Sequence, residues 1–83
     1  MEYMITFRSV TPAQRAETAL RKRGIDCVIR RTPRWMEENG CGYCLHMKGN
    51  SIHLMAQILS EMGISYRKVY LLRDNGITEE VGI

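Results

Sequence analysis

Two cysteines stand three apart in the stretch Thr32-Pro33-Arg34-Trp35-Met36-Glu37-Glu38-Asn39-Gly40-Cys41-Gly42-Tyr43-Cys44. The thiolate is the nucleophile in cysteine chemistry, and a thiol of ordinary pKa, about 8.5, is mostly protonated at neutral pH. Arg30, Arg31 and Arg34 are close in sequence. Their charge favours the thiolate and would equally hold a sulfur or selenium anion. The Cys41-x-x-Cys44 spacing also suits thiol–disulfide exchange, in which one thiol attacks and the second resolves, although no helix follows the pair as in a thioredoxin-type site. Zinc on Cys41, Cys44, His46 and His53 is a third chemistry. There is a single Cys pair, and the histidine spacing is not that of a finger. Neither a metal nor a cofactor is expected.

The elements around this stretch must aim its side chains. On one continuous strand, residues three apart point to opposite faces. Cys41 is therefore assigned to the Asn39-Gly40 turn, with Gly42 giving backbone freedom beside it. Cys44 is expected on the open face of a sheet next to His46. The connection from Arg34 to Gly40 exceeds a minimal hairpin and carries Trp35 and Met36, the mark of a working loop. Cys27 shares the parity of Ile29 and is expected as an inert core thiol. His53 is expected at the surface or as a capping residue of a helix.

Alternation of Tyr3, Ile5 and Phe7 against Met4, Thr6 and Arg8 predicts a half-buried first strand. Thr11-Pro12-Ala13-Gln14 predicts a helix start, with Thr11 as cap and Gln14 closing a capping box. Ala13, Ala16 and Leu20 form its apolar stripe, and Gly24 ends it. Arg21-Lys22-Arg23 then reads as a solvated helix end, where cations are favoured. A second strand is predicted over Ile25 to Arg30 and a third through Tyr43, Leu45 and Met47. Asn50 or Ser51 caps a second helix whose face is Ile52, Met55, Leu59 and Met62, closed by Gly63. The methionines are expected mostly in the core. Tyr66 to Leu72 is predicted as a fourth strand, followed by a turn and a loosely held tail from Asp74.

An offset of 39 sets Ala13 over Ile52, Ala16 over Met55, Leu20 over Leu59 and Gly24-Ile25 over Gly63-Ile64. Strand–helix–strand thus occurs twice. The expected fold is α+β, a ferredoxin-like βαββαβ arrangement with a four-stranded antiparallel sheet and both helices on one face. A swapped or dimeric sheet is the alternative, so a homo-oligomer stays open.

Composition bounds the function. Eighty-three residues, 45% apolar and 25% charged, make one soluble domain, read as residues 1–73 with a tail over 74–83. A chain of this size buries only about 60% of its unfolded surface. No apolar run approaches the ~20 residues of a membrane span, and the N-terminus does not read as a signal peptide, so a cytoplasmic protein is expected. Three cysteines, an odd number, argue for free, catalytic or metal-binding thiols over a disulfide framework.

The residues Tyr3-Met4-Ile5-Thr6-Phe7, Ala16-Glu17-Thr18-Ala19-Leu20, Gly24-Ile25, Thr32-Pro33-Arg34 and Cys41-Gly42 followed by Leu45 resemble a family of small bacterial selenium/sulfur carrier-like proteins. The resemblance covers roughly residues 2–72. Its most specific part is the separation of Thr32-Pro33-Arg34 from Cys41-Gly42. It implies that Cys41 holds the chalcogen and that Arg34 belongs to the site with Thr32 and Pro33. The partners it implies are sulfur- or selenium-transfer enzymes. Trp35-Met36 and Asn39-Gly40 depart from the small and hydroxyl residues of the family, and Cys44 is not one of its positions.

The expected function is a carrier or accessory protein that holds a persulfide or perselenide on Cys41 and hands it on, with Cys44 available to release it. The runner-up is a ferredoxin-like binding module for RNA or a regulatory ligand. Against RNA, strand three shows Cys44, His46 and Lys48 outward instead of stacking aromatics.

Overall fold

The computed structural model describes residues 2–31, 42–49, 51–73, 76 and 78–82. In chain order these form β1 (Glu2–Phe7), α1 (Val10–Lys22), β2 (Cys27–Arg31), β3 (Tyr43–Lys48), α2 (Ile52–Glu61), β4 (Val69–Leu72) and β5 (Thr78–Val81). The sheet order is β2-β3-β1-β4-β5, every neighbouring pair antiparallel. The expected α+β, ferredoxin-like βαββαβ arrangement is present, with β1 and β3 both in the interior of the sheet. The sheet, however, has five strands and not four.

The fifth strand comes from the stretch expected as a loose tail. Thr78-Glu79-Glu80-Val81 has one apolar residue and little strand propensity of its own. It is held by pairing with β4 and by Val81 against the core. Arg73 donates from Nε (3.0 Å) and its terminal nitrogen (2.9 Å) to a Glu79 carboxylate oxygen, bracing the hairpin. The expected turn is there, with Gly76 at φ +82° and its N–H bonded to Arg73 O. β4 itself is shorter than predicted. Before Val69 the side chain of Thr6 takes over, its Oγ1 accepting the Lys68 N–H at 3.0 Å.

Both helices cover one sheet face. Ala13, Ala16 and Leu20 of α1 and Ile52, Met55, Ile58 and Leu59 of α2 join Ile5, Phe7, Leu45, Met47 and Val69 in one buried cluster. Alanines on α1 let its backbone lie close to the sheet. On the opposite face Met4 and Cys44 form a second, smaller buried cluster under Tyr70 and Leu72. The first strand is therefore buried on both faces instead of one.

Two local expectations are corrected, and a third is narrowed to one residue. Ser9, not Thr11, is the N-cap of α1, and it makes no side-chain cap bond. Pro12 thus lies third in the helix, where a missing N–H still costs nothing because first-turn amides have no partner in the helix. Met62 is 50% exposed, and Ile58 takes its place in the core. The helix ends at Glu61, so position 62 leaves the buried stripe. Ser51 is the N-cap of α2, while Asn50 lies outside the described residues.

The two halves end their helices in the same way. The Gly24 N–H bonds Arg21 O at 3.0 Å and the Ile25 N–H bonds Leu20 O at 3.0 Å. The Gly63 N–H bonds Ser60 O at 3.2 Å and the Ile64 N–H bonds Leu59 O at 2.9 Å. Both are Schellman turns, which need a left-handed residue, and the glycines supply it at φ +80° and +68°. A Cβ at either glycine would meet no neighbour within 4 Å. Gly24→Ala and Gly63→Ala are therefore expected to cost about 1–2 kcal/mol each from backbone strain alone. Urea denaturation checks this, and an unchanged midpoint in either variant would contradict the turn assignment.

Candidate functional site

The segment that holds most of the candidate site residues joins the ends of two paired strands. The β2–β3 register runs from Cys27 opposite Met47 to Arg31 opposite Tyr43. Residues 32–42 connect those ends. Thr32, Pro33, Arg34 and Cys41, with Trp35, Met36, Glu37, Glu38 and the Asn39-Gly40 turn, lie outside the described residues. Arg30, Arg31, Gly42 and Cys44 are described. Arg31 places its guanidinium carbon 5.8 Å from the centroid of the Tyr43 ring, a cation–π contact across the mouth of the loop. Gly42 is buried where the chain enters β3.

Cations gather at this end of the sheet. Arg8 follows Phe7, which pairs with Tyr43, and the Arg67 N–H bonds Thr6 O at 2.8 Å. Lys68 is next in the chain and reaches Glu80 at 3.7 Å. Arg30 is opposite Cys44, on the face without helices. The first turn of α1, which starts here, has no acidic residue to balance its positive end.

The two described thiols are poor nucleophiles. Cys27 is 4% exposed, with its Sγ 3.9 Å from Glu17 O. Burial, with the Glu17 carboxylate adding to it, pushes the thiol up to about 11. The expectation of an inert core thiol thus agrees with its surroundings. Cys44 lies on the face predicted for it, with His46, yet it is 0% exposed, packed with Met4, Tyr70 and Leu72. Parity identified its face correctly and misjudged its exposure, because the packing comes from β1 and β4.

Among the described residues the candidate metal ligands Cys44, His46 and His53 are not assembled. His46 Nδ1 is 2.8 Å from Glu2 Oε1, and His53 is exposed on α2. Among the described residues no three His, Cys, Asp or Glu side chains are grouped to hold a metal ion. Glu2 as the partner of His46 had no signal in the sequence, since the contact spans 44 positions. The same holds for Glu17, whose carboxylate accepts the Ile29 N–H at 3.1 Å on the outer edge of β2. Of the aromatic rings only Tyr70 is found on the described part of the open face, half-buried. No described helix is long and apolar enough to cross a membrane.

Cys27 makes stability depend on pH in a definite direction. Below its ordinary value near 9.0 both folded and unfolded chains keep the proton. Between there and about 11 the unfolded thiol ionises while the folded one does not, so stability is lost as pH rises through this window. Chemical denaturation of wild type and Cys27→Val should diverge above pH 9, by about 1–3 kcal/mol near pH 11. Parallel curves would show that Cys27 titrates alike in both states.

No curated protein and no solved structure matches this chain. A family model described as "Putative Se/S carrier protein-like" matches residues 2–71. That stretch takes in β1 to all but the last residue of β4, together with the whole loop between Arg31 and Gly42; β5 lies beyond it. The chain therefore belongs to the Se/S carrier protein-like family.

Proposed function

We propose that this protein carries a sulfur or selenium atom as a persulfide or perselenide on Cys41 and passes it to a partner enzyme. The family description supports the general kind of function. The observation that singles out Cys41 is the fate of the other thiols. Cys27 and Cys44 are both buried in packed clusters, so Cys41 is the one cysteine not assigned to a core.

The chemistry needs no external oxidant. The Cys41 thiolate attacks the outer sulfur of a donor persulfide. The bond between the donor's two sulfurs breaks, and the donor thiolate leaves with that electron pair. The new persulfide on Cys41 then offers its terminal sulfur to an acceptor nucleophile, which regenerates the Cys41 thiolate. Cys44 has no necessary part in this exchange, and its complete burial argues against a role in release. Arg30 and Arg31 flank the loop, and with Arg34 they favour the anionic forms of both the thiol and the carried atom. Glu37 and Glu38 oppose this. Exposed carboxylates are screened over about 8–10 Å at physiological salt, whereas a contacting guanidinium is not.

Intact mass spectrometry after incubation with a cysteine desulfurase and cysteine tests the carrier reading. Wild type and Cys44→Ser should each gain one sulfur atom, and Cys41→Ser none. Sulfur retained by Cys41→Ser would remove Cys41 from the mechanism. Arg34→Ala should slow alkylation of Cys41 at pH 7 by roughly three- to tenfold and raise its titration midpoint. An unchanged rate would exclude the arginine.

A further inference from the structure

We infer that the outer edge of β2 is a pairing edge for a second copy of this chain, and that Glu17 holds it shut. The sheet order leaves β2 and β5 as its two edges. A strand edge offers unpaired N–H and C=O groups to which another chain can add. Along β2 the backbone groups alternate in direction. The Asp26 carbonyl accepts the Lys48 N–H at 3.4 Å, so Asp26, Val28 and Arg30 direct their backbone groups toward β3. Cys27, Ile29 and Arg31 therefore direct theirs outward. In the middle of that outer row the Glu17 side chain arrives from α1, and its Oε2 accepts the Ile29 N–H at 3.1 Å. The carboxylate stands where the carbonyl of a further strand would stand.

The surroundings of Glu17 fix this arrangement. Cys27 Sγ lies 3.9 Å from Glu17 O, so strand and helix backbone meet at the same residue. Ala13, Ala16 and Leu20 seat α1 on the sheet, and Glu17 is half-buried next to them. Val28 is on the other face, opposite His46, and is 43% exposed although it is a β-branched apolar residue within a strand. A neighbouring strand on this edge would cover it.

The sequence of β2 is complementary to itself. With Ile29 opposite Ile29 of the second copy, an antiparallel two-fold pairing matches all five residues of the strand. Val28 then faces the second copy's Arg30 and Cys27 its Arg31, so no like charges are directly opposed. The two Ile29 residues exchange both N–H···O bonds, and the Arg30 stem covers Val28. At β5 the register that pairs all four residues sets Glu79 against Glu80, which like charge disfavours. Neither Cys41 nor its loop takes part, so this pairing stands apart from the carrier reading.

Sedimentation velocity of the full chain tests this, with wild type expected as a monomer. Glu17→Ala frees the Ile29 N–H in both copies and should tighten dimerisation by at least about tenfold. Glu17→Asp, one methylene short of the strand, should do the same, and it decides the outcome if the alanine variant does not fold. Glu17→Gln keeps an oxygen acceptor at the same reach and should stay monomeric. Adding Ile29→Pro to Glu17→Ala removes the central donor at an outward-facing position and should restore the monomer. A folded Glu17→Ala, or Glu17→Asp where only that variant folds, that is no more dimeric than wild type would overturn the latch. So would a wild-type dimer, or a Glu17→Ala dimer that survives Ile29→Pro.

Discussion

The placement of β3 between β1 and β2 is the constraint on which the rest depends. Tyr43, Leu45 and Met47 face the helices, while Cys44, His46 and Lys48 face away. A slip of one residue would send Leu45 and Met47 out and bring Cys44 and His46 under the helices, at the cost of most of the central core. Both neighbouring strands enforce the same register. It brings Arg31 to Tyr43 and anchors both ends of the Cys41 loop at one end of the sheet.

Strand direction gathers at that end residues distant in sequence. Arg8 ends one strand, Arg30 and Arg31 end another, and Arg67 and Lys68 lead into a third. Arg30 and Arg31 are neighbours in sequence, as are Arg67 and Lys68, but nothing in the sequence joins these pairs to each other or to Arg8. The basic run that is conspicuous in sequence, Arg21-Lys22-Arg23, closes α1 instead and has an ordinary explanation in the helix dipole. Proximity in the chain was a poor guide to the charged surface.

The three thiols show how environment separates like residues. Cys27 is inert because burial and a nearby carboxylate disfavour its charge. Cys44 is enclosed because Met4, Tyr70 and Leu72 meet over it on a face without helices. A Cys-x-x-Cys spacing therefore includes a fully buried core residue, and spacing alone does not make a redox pair.

The amino-acid sequence by itself determined the ferredoxin-like order, the glycine-closed helices and the faces of β2 and β3. All three depend on local periodicity or on a dihedral preference, and the echo at an offset of 39 repeats them. Only the tertiary structure decided the fifth strand, the enclosure of Cys44, the His46–Glu2 pair and the gathering of cations at one sheet end. Each depends on a partner far along the chain. β5 exists because β4 offers an edge and the core accepts Val81, and Cys44 is buried because strands on the far side of β3 reach over it. Such effects have no period to read, since the energy lies in contacts between segments instead of within one.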